Sequence, residues 1–363
     1  AVVSALAARG ADLGARHRFA GQTALHMAAE NGMALVIQAL CDAGADGSLL
    51  SESTGGTPLH TAADSNSSAA IGPLLAPRLD KGAKGGEGTS AGGCGCDPEA
   101  LMNGDTSALY LAAQHGFTSV VRELLEYGAE PTPVMAHGSY KGERHLSTPG
   151  AEAANWVPNA EAGNGATPLH AAAENGHPDT ARALIDGGAA LDSMDMGVTP
   201  LQLTAQYGRH EVTKVLVEHG AELESRSGID GSTALYYAAG FGHDKVVSVL
   251  LKAGARPDDG QRRSGGTPLL YAAGVCGPGQ RKALAMLLKF GARVDKRSDD
   301  GITALHAAAS EGRTACVKKL LEYNAESTEL TGDNVGHTAL TLAVGSGHKA
   351  TARALLAAAA AGE

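Results

Sequence analysis

Apolar residues fall at helical spacing within short blocks of this chain, and the blocks themselves recur. In the stretch Thr199 to Leu223, Leu201 and Ala205 lie on one helical face, with Leu203 and Thr204 beside them. Thr199 supplies an N-cap, and Pro200 fills the first helical position, where a missing N–H costs nothing. Gly208 stops this short helix. A second follows with Val212, Val215 and Leu216 at helical spacing, and Gly220 closes it where a left-handed backbone is wanted. The equivalent closing positions are Gly44, Gly128, Gly188, Gly254 and Gly291, while Asn324 stands there in the block that begins at Thr303. Asparagine is the other residue that tolerates a left-handed backbone, so the exchange points to a backbone requirement.

The first helix of each block reads T-x-L-x-x-A-A. Its opening residues are Thr23, Thr57, Ser107, Thr167, Thr199, Thr233, Thr267, Thr303 and Thr338, separated by 34, 50, 60, 32, 34, 34, 36 and 35 residues. Six of these eight gaps lie between 32 and 36, the mark of an array of similar supersecondary units. Neither helix is long enough to stand alone, since isolated helices below about 12–15 residues are marginal in water. Each unit must therefore bury its apolar face against its neighbours. Alanine pairs at 172–173, 238–239, 272–273 and 308–309 let helices approach closely, which lets a chain with only 4% aromatics build a core.

The blocks TALHMAAENG (23–32), TPLHAAAENGH (167–177) and TALHAAASEG (303–312), each followed by a second helix and G-A-D/E-like residues, resemble ankyrin repeats. The resemblance implies an all-α, ankyrin-type solenoid of about nine stacked helix-turn-helix repeats, with hairpin-like fingers on one side and two loop insertions. It also implies protein recognition through the finger tips and the inner face of the first helices. Departures are local: Ser107 replaces the threonine, Tyr110 and Tyr236 replace the common histidine, and Val275–Gly279 lengthens one turn between helices.

The expected organisation is a partial leading repeat over 1–20, repeats over 21–130, a flexible insertion over 131–165 and further repeats over 166–363. A first insertion occupies about 79–105 and is so rich in glycine that it cannot bury enough apolar surface to repay ordering. The second holds Trp156, flanked by Val157 and Pro158, which either folds back or anchors a partner, or sits in a mobile excursion. Residues Val2 to Asp12 read as the second helix of a unit whose first helix is absent, and Ala354 to Ala361 lacks a polar capping face. Both ends are therefore expected to be cut from a longer array or protein.

Composition narrows the function. The net charge of −10 argues against nucleic acid or an anionic membrane as the main partner, and no apolar tract reaches the about 18 residues of a membrane span. Cys41, Cys94, Cys96, Cys276 and Cys316 are an odd, scattered set that suggests no disulfide framework, so the cytoplasm is expected, with the nucleus as the alternative. Cys94-Gly-Cys96, even with His137 and His145, falls short of zinc-site spacing, so exposed thiols and no metal are expected. His26, His60, His170 and His306 recur at one site in each unit, which argues against catalysis; the family resemblance gives them a structural role across the turn between units. No nucleophile–base pair, phosphate loop or H-E-x-x-H is found, so neither an enzyme nor a cofactor is expected.

What the repeat leaves unexplained is the candidate surface. The chain is expected to act as a monomeric, non-catalytic scaffold for a protein partner, and its negative charge permits one with a basic surface. The alternative is a targeting or regulatory arm of a larger enzyme, channel or ubiquitin-ligase adaptor. Tyr207, Phe241, Gln206, Met196 and Ile229 stand where solvation would favour polar residues or beside such positions, and aromatics make good anchors. Tyr207 and Phe241 either anchor a partner or pack between neighbouring helices. Asp195, Asp230, Asp299 and Asp300 are expected to form an acidic rim at the finger tips.

Overall fold

Each threonine of the recurring block ends an extended stretch and opens a helix. At Ser107, Thr167, Thr199, Thr233, Thr267, Thr303 and Thr338 the hydroxyl accepts a hydrogen bond from the N–H three residues on. That bond satisfies a helix donor that has no partner inside the helix. The structure is a computed structural model that describes residues 2–76, 94–103, 106–131, 165–261, 263–332 and 336–361. The chain divides into two compact units, Ala1–Ala190 and Leu191–Glu363.

In the first unit, α2 (Ala24–Glu30), α4 (Pro58–Asp64), α6 (Ala108–His115) and α8 (Pro168–Asn175) pack one on the next as an inner layer. Behind them α1 (Val2–Ala8), α3 (Ala34–Asp42), α5 (Ser68–Leu75), α7 (Thr118–Glu126) and α9 (Pro178–Asp186) form the outer layer. The 60-residue gap between Ser107 and Thr167 leaves the stack unbroken, because α6 packs directly on α8 and α7 on α9. A short antiparallel pair, β1 (Leu101–Met102) with β2 (Thr106–Ser107), makes one finger.

The second unit repeats this plan. Its inner layer is α10 (Pro200–Tyr207), α12 (Ala234–Phe241), α14 (Pro268–Val275), α16 (Ala304–Ser310) and α18 (Ala339–Gly345). Its outer layer is α11 (His210–Glu218), α13 (Asp244–Lys252), α15 (Pro278–Lys289), α17 (Thr314–Glu322) and α19 (Lys349–Ala361). Leucines such as Leu201, Leu216, Leu250, Leu284 and Leu305 and the alanine pairs are wholly buried. The predicted closing positions are left-handed, from Gly220 (φ 88°) and Gly254 (φ 97°) to Asn324 (φ 60°).

Neighbouring fingers are tied backbone to backbone. Gly228 N–H donates to the Gly197 carbonyl (2.7 Å), Asp299 N–H to that of Ser264 (2.9 Å) and Gly332 N–H to that of Asp300 (2.9 Å). A second tie uses carboxylates: Asp192 accepts from the Glu222 N–H, Glu224 from that of Arg256, Asp258 from that of Arg293 and Asp295 from that of Glu326. Asp192, Glu224, Asp258 and Asp295 thus serve to join repeats.

Three expectations are corrected. Cys41 is disulfide-bonded to Cys94, with Cα atoms 4.6 Å apart, and Cys276 to Cys316, with Cα atoms 6.1 Å apart. Stacking brings together cysteines 53 and 40 residues apart in sequence, which spacing alone could not show. The absence of a disulfide framework, one ground for placing the chain in a reducing compartment, therefore falls. Cys94 and Cys96 are also buried rather than exposed, because the end of the glycine-rich insertion lies against α5. Cys94, Gly95 and Cys96 donate their N–H groups to the carbonyls of Pro73, Ala76 and Leu74, and the Cys96 thiol donates to that of Gly47 (3.6 Å). Finally, Val275–Gly279 does not lengthen a turn. Val275 ends α14, Cys276 caps it with φ 52°, Gly277 caps the start of α15, and Pro278 and Gly279 lie within α15, which has 12 residues against nine in α11, α13 and α17. Trp156, Val157, Pro158, His137 and His145 lie outside the described residues.

Candidate functional site

The recurring histidine is the first chemistry-bearing group to place. In His26, Nδ1 lies 2.8 Å from Thr23 Oγ1 and 3.3 Å from the Thr23 nitrogen, and Nε2 lies 3.1 Å from the Gly56 carbonyl of the next repeat. His60 reaches the Thr106 carbonyl (2.9 Å) and His306 that of Glu329 (3.0 Å) in the same way. Gln202 copies the arrangement with an amide: its oxygen accepts from the Thr199 N–H, and its nitrogen donates to the Ser225 and Ser232 carbonyls. A glutamine can serve only if the histidine role is one neutral acceptor and one neutral donor. Burial holds His26, His60 and His306 below the ordinary imidazole value of 6.5, which agrees with that role. These residues hold repeats together.

The chemistry left over gathers on the inner layer of the second unit. Tyr236 and Tyr271 stack with ring centroids 4.9 Å apart, Tyr237 stacks on Phe241 at 6.5 Å, and Phe241 meets Tyr271 edge-on at 6.4 Å. Such pairs contribute roughly 0.5–1.5 kcal/mol each beyond the area they bury. Gly240 makes the arrangement possible, since a Cβ there would lie 2.0 Å from the Tyr271 ring. The Tyr237 hydroxyl donates to the Asp230 carboxylate (2.9 Å), which also accepts from the Ser232 N–H and hydroxyl and from Gln261. The Tyr271 hydroxyl is covered and has no hydrogen-bond partner, and the same holds for the side-chain oxygen of Gln206 on α10. Burial, with Asp230 adding its negative charge, pushes the Tyr271 phenol up to about 12, so all these hydroxyls stay protonated near neutrality.

Beside this cluster lies an open groove of about 570 Å³. Leu270, Ile302, Ala307 and Leu342 give it apolar walls, and Asp299, Asp300 and Glu311 give it carboxylates. No Lys or Arg is among its described lining residues. Arg313 and Arg297 stand at its margins with their donors engaged, by the Gly274 carbonyl and Glu311, and by Glu329 and the Leu330 carbonyl.

The residues singled out from sequence separate accordingly. Phe241 joins the aromatic cluster, while Tyr207 is half-buried at the end of α10. Asp230, Asp299 and Asp300 reach the surface, and the last two line the groove. Ile229 is half-buried, and Met196 is exposed in a left-handed turn with φ 48°. Asp195 is corrected: it is buried, 3% exposed, within a tight turn that pairs it with Val198, and so cannot belong to a solvent-facing rim. Gln206 is buried as well. Tyr237, Tyr271 and Leu342 are not among the residues singled out from sequence. Their shared signal is the residue after the histidine position, the third x of T-x-L-x-x-A-A, where Tyr237, Tyr271 and Leu342 stand.

A family model described as "Ankyrin repeats (3 copies)" matches residues 1–84, 144–227, 222–298 and 274–362, and one described as "Ankyrin repeat" matches residues 105–134. The chain is 40% identical over 82 residues to a Transient receptor potential cation channel subfamily A member 1 homolog from Caenorhabditis elegans; the match covers 23% of this chain and 7% of that protein. Among solved structures, the human ASB11 ankyrin repeat domain superposes with a TM-score of 0.54 at 24% identity, covering 70% of this chain and 98% of that one, a likeness of fold. With capped helix pairs, left-handed closures, interlocked fingers and a family match over most of its length, this chain belongs to the ankyrin-repeat family, whose fold is generally non-catalytic.

Proposed function

We propose that the chain is a protein-binding scaffold whose second unit carries the main binding face. The observation that carries this reading is the aromatic cluster on α12 and α14 beside an acidic groove on α14, α16 and α18. Aromatic anchors next to apolar walls provide the desolvated centre of an interface, and the carboxylates provide a rim that selects a basic partner. The neutral, repeat-joining histidines leave the chemistry of this face to recognition rather than proton transfer.

A second reading is favoured by the 82 residues shared with the cation-channel homolog: this array is the regulatory arm of a larger protein. The chain spans only 7% of that relative's length, so the two readings differ in what is attached and not in what the face does. The test is crosslinked capture from native lysate with the parent and with a Phe241→Ala/Leu342→Ala variant of unchanged helical circular dichroism. A protein retained by the parent and lost by the variant supports the face. Identical captures remove it.

A further inference from the structure

We infer that the outer layer of the second unit docks on an anionic lipid surface, with its cations on the headgroups and two aromatic rings at the lipid–water boundary. The proposed protein-binding face lies on the inner helices, so this role neither uses nor requires it.

This layer is opposite in charge to the chain as a whole. The net charge of the sequence is −10, yet α13, α15, α17 and α19 carry only two acidic residues, Asp244 and Glu322. Each has a cation of the same layer beside it: Lys282 lies 3.6 Å from Asp244, and Lys319 lies 2.8 Å from Glu322. Lys245, Lys252, Arg281, Lys289, Lys318 and Arg353 remain, all exposed and none in an ion pair among the described residues. Carboxylates on the adjoining loops are already engaged. Asp258 pairs with Arg293 (2.8 Å), Asp259 pairs with Arg226, and Asp295 accepts from the Glu326 N–H. The acidic total thus conceals a basic face.

Geometry selects the kind of polyanion. Because α13 packs on α15, α15 on α17 and α17 on α19, in steps of about 8–10 Å, the cations spread across about 24–30 Å as well as along each helix. An extended acidic peptide or a single nucleic-acid strand is a line, and it meets one row of such an array. A lipid surface is a plane and meets every row. Four of the six cations are lysines, hydrated point charges on flexible stems, whereas arginine suits fixed bidentate contacts to carboxylate or phosphate. Each such cation close to an anionic leaflet strengthens attachment about fivefold.

A second observation is apolar. Phe290 and Tyr323 follow α15 and α17, each just before the left-handed closing residue, and are 41% and 38% exposed. Lys289 precedes Phe290, and the Lys319 ammonium lies 5.3 Å from the Tyr323 ring centroid. Aromatic rings beside lysines suit a membrane–water boundary, where one side is apolar and the other wet.

The test is cosedimentation of the whole chain with vesicles of phosphatidylcholine alone and of phosphatidylcholine with phosphatidylserine. The chain should bind only the vesicles that contain phosphatidylserine, and raising salt from about 0.1 M to about 1 M should release it. Lys252→Gln/Lys289→Gln/Lys318→Gln, with unchanged helical circular dichroism, should weaken binding about tenfold or more. Phe290→Ala/Tyr323→Ala should weaken it while leaving its salt dependence. Arg122→Gln, on α7 of the first unit, should change nothing. No binding to phosphatidylserine vesicles, equal binding to phosphatidylcholine, or indifference to either multiple variant overturns the inference. Binding of soluble polyglutamate or of a single-stranded oligonucleotide that needs the three lysines, with vesicles left unbound, also overturns it and assigns the face to an acidic protein or a nucleic acid.

Discussion

A histidine that must stay neutral makes the fold sensitive to acid. In His26, His60 and His306 the folded-state value is depressed below 6.5 by burial, while the unfolded chain keeps the ordinary value. The unfolded state therefore binds protons first, so the contribution is complete above about pH 6.5 and is lost as pH falls through the lower folded value. The melting temperature should be flat between pH 7 and 8 and should fall below pH about 6.5. His306→Gln should lessen that fall, since Gln202 already fills the same role three repeats earlier. A variant as acid-sensitive as the parent would remove this account for His306. Gly240 is a second case. Alanine is favoured over glycine inside a helix by about 1 kcal/mol, yet a Cβ here would meet the Tyr271 ring. Gly240→Ala should lose stability and alter the near-ultraviolet tyrosine circular dichroism; unchanged spectra with higher stability would show that the ring moves freely. The regular histidines were legible in the sequence, but their carbonyl partners belong to the next repeat and were not.

At the scale of elements, the helix pairs were readable because their caps are local. Thr303 and the N–H of His306 are three residues apart, and Thr303→Ala should cost about 1 kcal/mol in urea unfolding. The cysteine bonds were unreadable for the opposite reason. Cys276 takes a left-handed cap that glycine fills at the ends of α6, α8, α10 and α12, and its partner Cys316 lies on α17 of the following repeat. Closing a loop of 40 residues stabilises by up to about 3–4 kcal/mol in the chain-entropy account. Cys316→Ser should lower the unfolding midpoint of the second unit in non-reducing buffer and lose its difference from the parent under reductant. No difference in either buffer would mean that the bond carries no stability.

The whole molecule adds a long-range field to these local contacts. With a net charge of −10 and the Asp299 and Asp300 carboxylates on the binding face, association with a basic partner should be salt-dependent. The Debye length is about 10 Å at 0.1 M salt and about 3 Å at 1 M, so affinity should fall steeply across that range. Salt-independent binding would place the energy in the aromatic cluster alone. Stability should behave differently, since repeat arrays sum unit and nearest-neighbour terms. Leu250→Ala, at a wholly buried site, should cost about 2–5 kcal/mol within the second unit.

The sequence by itself determined the repeat and the paired helices with their caps and closures, because those features arise from interactions spanning a few residues and recur often enough to be seen. Tertiary structure alone decided which side chains meet between repeats. It paired the cysteines, buried Asp195 and Gln206, and laid Tyr271 over Gly240 to make an aromatic face beside the acidic groove. Those contacts join residues about one repeat apart, and a periodic sequence offers the same spacing to every repeat. Only the packing of particular side chains makes one face of the array differ from the others.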